Sequence, residues 1–179
     1  MNNSGVLRMA VVGCGYFGEK HADIIGQLSN AELVAVCDKN WEAAKRLAQR
    51  TSCKAYEDIE EMLAKEQLDA VSIAVSETFH LDAVRPVAKA GKHILLEKPI
   101  ARNTEEALEI VRLAEENQIR LMVGHVLKWD GRYQYTAEAI ARGDLGEVIS
   151  MYETFVHERN SKKITWKNLY VPLHGSTRL

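Results

Sequence analysis

Three glycines, an aspartate and a lysine carry most of the chemistry readable in this chain. The stretch VVGCGYFG sets Gly13, Gly15 and Gly18 in G-x-G-x-x-G spacing, after a β-prone run and at the head of a helix-prone one. In that context the spacing reads as a dinucleotide-binding turn. Gly13 permits the tight turn, Gly15 lets backbone approach a pyrophosphate, and Gly18 lets helix and strand pack closely. The helix start then offers free N–H groups and a partial positive charge. Tyr16 and Phe17, inside the turn, join the expected cofactor-binding set. Asp38 closes the next β-prone run, where a carboxylate can accept from ribose hydroxyls and repel a 2′-phosphate. That favours NAD. The cation of Lys39 beside it keeps NADP open as the alternative. No Gly-Lys-Ser/Thr follows the glycines, so a P-loop is excluded. The plain alternative, a glycine turn with a solvated aspartate, explains neither the spacing nor the context.

The segment LLEKPI, residues 95–100, ends an apolar run on an acid, a base and a proline. A lone lysine is ordinarily a solvated surface charge. Lys98, however, leaves a strand at the edge where open α/β sheets bind ligands. Partly shielded there, its ammonium can hydrogen-bond a substrate oxygen and serve acid/base chemistry. Pro99 fixes its own φ and restrains Lys98 to extended geometry. Glu97 either positions a nicotinamide ribose or neighbouring backbone, or balances the charge. Ser76, Glu77 and His80 follow the fourth β-prone run, and Gly124-His125 the sixth. Ser76 and His80 are counted with the cofactor-binding residues, as are Glu97, Lys98 and Pro99. Each has a bland reading: Ser76 as a helix cap, His80 as a residue near a helix start, His125 as a hinge histidine beside Trp129. His21, on the apolar face of the first helix, reads as structural. Cys14 reads as loop filling, not as a nucleophile.

These residues need a scaffold, and the hydrophobic pattern supplies one. β-prone runs at 8–13, 32–38, 70–75, 93–98 and 120–126, with a shorter one at 53–56, alternate with helical segments at 16–29, 41–51, 58–66, 78–90 and 104–117. Near-continuous apolar strands between helices imply a parallel sheet covered on both faces. The expected fold class is α/β, a doubly wound parallel sheet of Rossmann type over residues 1–126. Asn103 is placed to cap the last helix, with Glu106 in capping-box position. Beyond 126 a helix at 132–142, a glycine-rich stop and a long strand at 147–157 are expected. Residues 127–179 then read as a connecting helix and the first part of an incomplete substrate domain, since so short a tail cannot bury a core alone.

The composition excludes several classes. Of 179 residues, 46% are hydrophobic and 27% charged, with a net charge of −2. Nothing in that balance suggests nucleic-acid or membrane-surface binding. Three cysteines without metal-ligand spacing argue against a disulfide scaffold and a structural metal site. No secretory leader or apolar run of membrane-spanning length is read, which points to the cytoplasm.

The pieces VVGCGYFGEKHADII, AVCD, FHLDAVRPVAKAGKHILLEKPIARNTEEA, LMVGHVLKWDGRY and GDLGEVISM together resemble the Gfo/Idh/MocA oxidoreductases. The resemblance implies a Rossmann domain holding NAD(P), and a C-terminal α/β domain for substrate and for homo-oligomer formation. It implies sugars, inositols and other polyhydroxy compounds as substrates. Lys98 would be the catalytic lysine, the Lys98–Pro99 peptide would be cis, and His80 would match the histidine after the fourth strand. Two departures stand out. Val75-Ser76 replaces a common Thr-Pro pair, and the family's second catalytic element falls later than anything convincing here; His174 is no substitute. The expected function is hydride transfer between a nicotinamide cofactor and a hydroxyl-bearing carbon. The rivals are a non-catalytic NAD(P)-binding regulatory module or catalytically incomplete fragment, and non-redox chemistry with retained NAD.

Overall fold

The structure, a computed structural model, describes residues 5–154. Six parallel strands form one sheet in the order β3-β2-β1-β4-β5-β6. They are β1 (Leu7–Val12), β2 (Ala31–Cys37), β3 (Lys54–Tyr56), β4 (Ala70–Ile73), β5 (His93–Leu96) and β6 (Leu121–Val123). The helices are α1 (Tyr16–Ile25), α2 (Trp41–Thr51), α3 (Ile59–Lys65), α4 (His80–Lys89), α5 (Thr104–Glu116) and α6 (Gly131–Ala141). The strand order reverses between β1 and β4, which opens a crevice at their carboxyl ends. The doubly wound sheet is as expected from the pattern.

Alternation along the central strands explains the two covered faces. Ala10 and Val12 of β1 join one core cluster with Met62 of α3, Val84 and Val87 of α4, and Ile110 of α5. Val11, one residue out of phase, joins the other with Ala22 of α1 and Leu47 of α2. Ile73, Leu96 and Ile110 are fully buried, so truncating any of them to Ala costs about 2–5 kcal/mol. Asn40, Asp58 and Asn103 cap α2, α3 and α5 with side-chain oxygens.

Several elements are shorter than the pattern predicts, each for a visible reason. α1 stops at Ile25, with Gly26 as its cap. β4 ends at Ile73 because Ala74 and Val75 bend against Gly13. β6 ends at Val123, where the N–H of His125 turns back onto the Val123 carbonyl. The predicted strand at 147–157 is absent over its described part, residues 147–154. A strand needs a neighbour to complete its ladder, and no described strand pairs with this segment. Residues 155–157 and His174 lie outside the described residues.

The chain divides into two compact units between Tyr133 and Gln134. In the second, the helix ends at a turn where Gly143 takes φ 77°, and Arg142 pairs with Asp144 at 2.8 Å. No helix among the described residues is long and apolar enough to cross a membrane.

The thiols of the first unit make its stability pH-dependent. Burial, with the Asp38 carboxylate next in importance, pushes Cys14 from 9.0 up to about 12. Burial, then Asp58 and Asp38, does the same for Cys37. Burial, then the Glu66 hydrogen bond, lifts Tyr56 from 10.0 to about 12. A folded pKa above the unfolded one gives stability that is complete below the unfolded value and lost as pH rises through the folded value. The urea midpoint should therefore hold to about pH 8 and fall from about pH 9 upward. The fall should be shallower in a Cys14→Ala/Cys37→Ala double variant. An identical slope in that variant would show that other groups set the alkaline limit.

Candidate functional site

Every strand end of the sheet is tied to its neighbour by one last backbone bond. The N–H of Gly13 donates to Cys37 O at 2.8 Å, Asp38 to Tyr56 O at 3.1 Å and Ala74 to Val12 O at 2.8 Å. Glu97 donates to Ile73 O at 2.9 Å and Gly124 to Leu96 O at 2.8 Å. The residues that could do chemistry begin where these bonds end. All belong to the first compact unit and share its carboxyl edge.

The glycine turn has the space the sequence implies, and it differs by position. Gly13 has φ +95°, and a Cβ on it would lie 2.7 Å from the Ala74 carbonyl. A Cβ on Gly18 would lie 1.7 Å from Gly13 O, so α1 can reach β1 only without a side chain there. A Cβ on Gly15 would meet nothing within 4 Å. Gly15 is also the N-cap of α1 and supplies no side-chain cap. The first N–H groups of α1 thus have no side-chain cap, which makes a cradle suited to a phosphate. Tyr16 and Phe17 are exposed in that first turn, their rings edge to face at 5.4 Å.

Asp38 stands beside the cradle with its carboxylate already fixed. Oδ2 accepts from Cys14 N at 2.7 Å and Oδ1 from Asn40 N at 2.8 Å. Two bonds leave lone pairs on both oxygens for ribose hydroxyls. Lys39 is exposed. Cys14 is buried, and its raised pKa makes a thiolate nucleophile there unfavourable.

Glu97, Lys98 and Pro99 divide into an inner and an outer part. Glu97 is buried, 7% exposed. Its Oε1 lies 3.1 Å from His21 Nε2, and its Oε2 accepts from the Lys98 N–H at 3.1 Å. Lys98 and Pro99 are exposed, and their peptide is cis. The Lys98 amine is therefore wetter in this chain than the partial shielding expected of it. Its Nζ lies 5.7 Å from the centroid of the Phe17 ring, which brings it over the first turn of α1.

His80 is held between two strand exits. It is 1% exposed, and its ring nitrogens each lie 3.2 Å from a backbone carbonyl, Ile100 O and Val75 O. It clamps the exit of β4 to the exit of β5. Ser76 is exposed and precedes a short 3₁₀ turn without capping it; its hydroxyl donates to Glu77 Oε2 at 3.1 Å. His125 is exposed at the end of β6. The residue that sequence reasoning left out of the site is His21, which meets Glu97 and Ser72 at once. Its spacing from Gly18 puts it on the inner face of α1, the only signal the sequence held.

A cavity of about 580 Å³ sits at the opposite, amino-terminal edge, lined in part by Arg8, Glu66 and Asp69. Arg8 pairs with Glu32, Glu66 with Lys54 and Tyr56, and Asp69 with the Arg8 N–H. Those groups are spent on the fold.

Residues 7–125 match the family GFO_IDH_MocA, described as an oxidoreductase family with an NAD-binding Rossmann fold. The chain is 27% identical over 165 residues to a 2,7-anhydro-N-acetylneuraminate hydratase of Escherichia coli, covering 92% of this chain and 44% of that protein. It is 32% identical over 148 residues to an inositol 2-dehydrogenase of Corynebacterium glutamicum, covering 81% and 44%. The crystal structure of the WlbA dehydrogenase from Bordetella pertussis, in complex with NADH and UDP-GlcNAcA, superposes with a TM-score of 0.75 at 31% identity, covering 79% of this chain and 43% of that one. The chain spans about half the length of the curated relatives it matches.

The glycines separate folding from binding. Gly15→Ala should leave the urea stability within about 1 kcal/mol of the parent, since its Cβ meets open space. It should weaken NADH binding, read by fluorescence titration, at least about tenfold. Gly18→Ala should destabilise the fold by about 1–3 kcal/mol or more through overpacking. Equal effects of the two on stability would contradict this division.

Proposed function

The chain belongs to the GFO_IDH_MocA oxidoreductase family, and from that premise we propose that it carries the dinucleotide-binding domain of an NAD(P)-dependent oxidoreductase acting on a hydroxyl-bearing carbon of a sugar, inositol or related polyol. We place the dinucleotide-binding domain at 1–126 and the start of the substrate domain at 127–179. The observation that supports the reading most is the Lys98 amine, exposed over Phe17 at the mouth of the glycine cradle.

The cofactor supplies the hydride acceptor and donor at its nicotinamide ring. This chain supplies the cofactor cradle and one acid/base group. The first N–H groups of α1 and the bare backbone at Gly15 take the pyrophosphate. Asp38 takes ribose hydroxyls, and its negative charge disfavours a 2′-phosphate. Lys98 donates to the substrate oxygen, orients the carbon that bears it and exchanges a proton with it at Nζ. Glu97 and His80 act from beneath: one fixes the Lys98 backbone, the other ties the strand exits together. The substrate is a small polyhydroxy compound, and a homo-oligomeric, cytoplasmic enzyme is the setting this reading carries.

A second reading draws on the relative named as a hydratase. The same edge would serve a non-redox reaction in which NAD returns to its starting state. The two part on one measurement. With polyols as substrates, net NADH accumulates only in the dehydrogenase.

In the protein with its substrate domain in place, Lys98→Ala should cut turnover about a hundredfold or more while leaving NADH affinity within about twofold. Wild-type turnover would remove Lys98 from the chemistry. Asp38→Ala should weaken NAD binding and narrow the gap between NAD and NADP. An unchanged ratio of the two affinities would mean that Asp38 does not read the ribose.

A further inference from the structure

We propose that His21 is a positioning residue for Lys98, acting through the buried carboxylate of Glu97. Nothing else in the site described above depends on His21, yet its ring stands at the centre of a continuous polar path. Nδ1 lies 2.6 Å from Ser72 Oγ on β4, and Nε2 lies 3.1 Å from Glu97 Oε1 at the end of β5. Oε2 of the same carboxylate accepts from the Lys98 backbone N–H at 3.1 Å. Ser72 is 0% exposed and Glu97 7% exposed, so water does not substitute for these partners.

One neutral tautomer of His21 satisfies every group. A hydrogen on Nε2 donates to the carboxylate, and Nδ1 then accepts from the Ser72 hydroxyl. The opposite tautomer would aim a nitrogen lone pair at a carboxylate oxygen. The donors therefore converge on Glu97, His21 from one side with Ser72 behind it, and the Lys98 N–H from the other.

Gly124 closes the carboxylate in. A Cβ on Gly124 would lie 3.3 Å from Glu97 Oε1, so β6 leaves just the room this group fills. Phe17 lies one turn before His21 on the same face of α1, and its ring underlies the Lys98 amine at 5.7 Å. One helix thus bears on the Lys98 segment twice, on the amine through Phe17 and on the backbone only by way of the Glu97 carboxylate. Without the Nε2 donor, a buried Glu97 oxygen loses its partner. The carboxylate then turns toward water and releases the Lys98 N–H.

The alternative is an ordinary satisfied polar cluster that stabilises the fold and nothing local. The two differ at the Lys98 amide. His21→Asn can keep the bond to Ser72 while withdrawing the donor from Glu97. His21→Gln can keep the donor to Glu97 while withdrawing from Ser72. Amide hydrogen exchange on the 15N-labelled chain should be about five- to tenfold faster at Lys98 in His21→Asn, beyond any change at Val11 and Ile73. His21→Gln should restore the Lys98 rate. Acceleration at Lys98 no greater than at Val11 and Ile73, or no recovery with Gln, overturns the proposal. In a form that turns over, His21→Asn should lower kcat with the KM for NAD unchanged. The proposal rests on the reading of Lys98 as catalytic only for this last effect. If Lys98→Ala retains turnover, that reading falls, and the exchange rates still decide the coupling.

Discussion

The site depends on the last rung of a parallel ladder. A residue one step beyond a strand has lost its place in the sheet, and its side chain is free to do chemistry. Its N–H can still be held by the neighbouring strand's final carbonyl. Gly13, Asp38, Ala74, Glu97 and Gly124 all use that bond. The backbone is rigid where the side-chain alternation of the core ends. A parallel sheet brings all these positions to one edge, because every strand points the same way. An antiparallel sheet of the same strands would scatter them over two edges.

Rigidity of the backbone does not by itself place a lysine. Four rotatable bonds separate the Lys98 amine from the sheet, and its freedom favours solvent. The structure restrains it from both ends. Phe17 offers a ring face near Nζ, a contact worth about 0.5–1 kcal/mol at an exposed site. Glu97 grips the N–H at the root of the side chain. Burying that carboxylate is expensive unless it is fully hydrogen-bonded. His21 and the Lys98 N–H provide the bonds. An acid beside a base on the strand is therefore not a salt bridge between the two side chains. The acid turns inward to organise backbone, and the base turns outward to solvent.

The periodic features were legible in the sequence and the long-range pairings were not. Apolar runs and their spacing identified six strands, because continuous burial on both faces leaves a continuous hydrophobic signature. The glycine spacing was legible because its cause is local: Gly18 must pass Gly13 within a few residues of chain. His21 and Glu97 are 76 residues apart, and no local pattern marks their meeting. The ring of His80 lies between two strand exits, a placement no local pattern marks. Burial of a histidine at a helix start depends on which loop covers it, here the one carrying Ile100. The strand placed at 147–157 shows the opposite error. Val148, Ile149, Met151 and Tyr152 have the composition of a strand, but these residues are exposed and pair with nothing described. Composition proposes a strand; only a partner makes one.

The helix α1 is where these constraints meet. Its N-terminus forms the cradle, its Gly18 sets its distance from β1, and one side of it carries the exposed Phe17 and, a turn later, His21. A helix packed so close that a Cβ on Gly18 would lie 1.7 Å from Gly13 O cannot slide along the sheet without a clash. The residues one turn apart on that helix are then fixed relative to β4 and β5. The glycine that allows close packing is thus also what brings His21 within reach of Glu97. The first turn of α1 and the lysine at the end of β5 share one rigid reference. Their separation is set by the packing of a single helix, the constancy that the proposed hydride transfer would need.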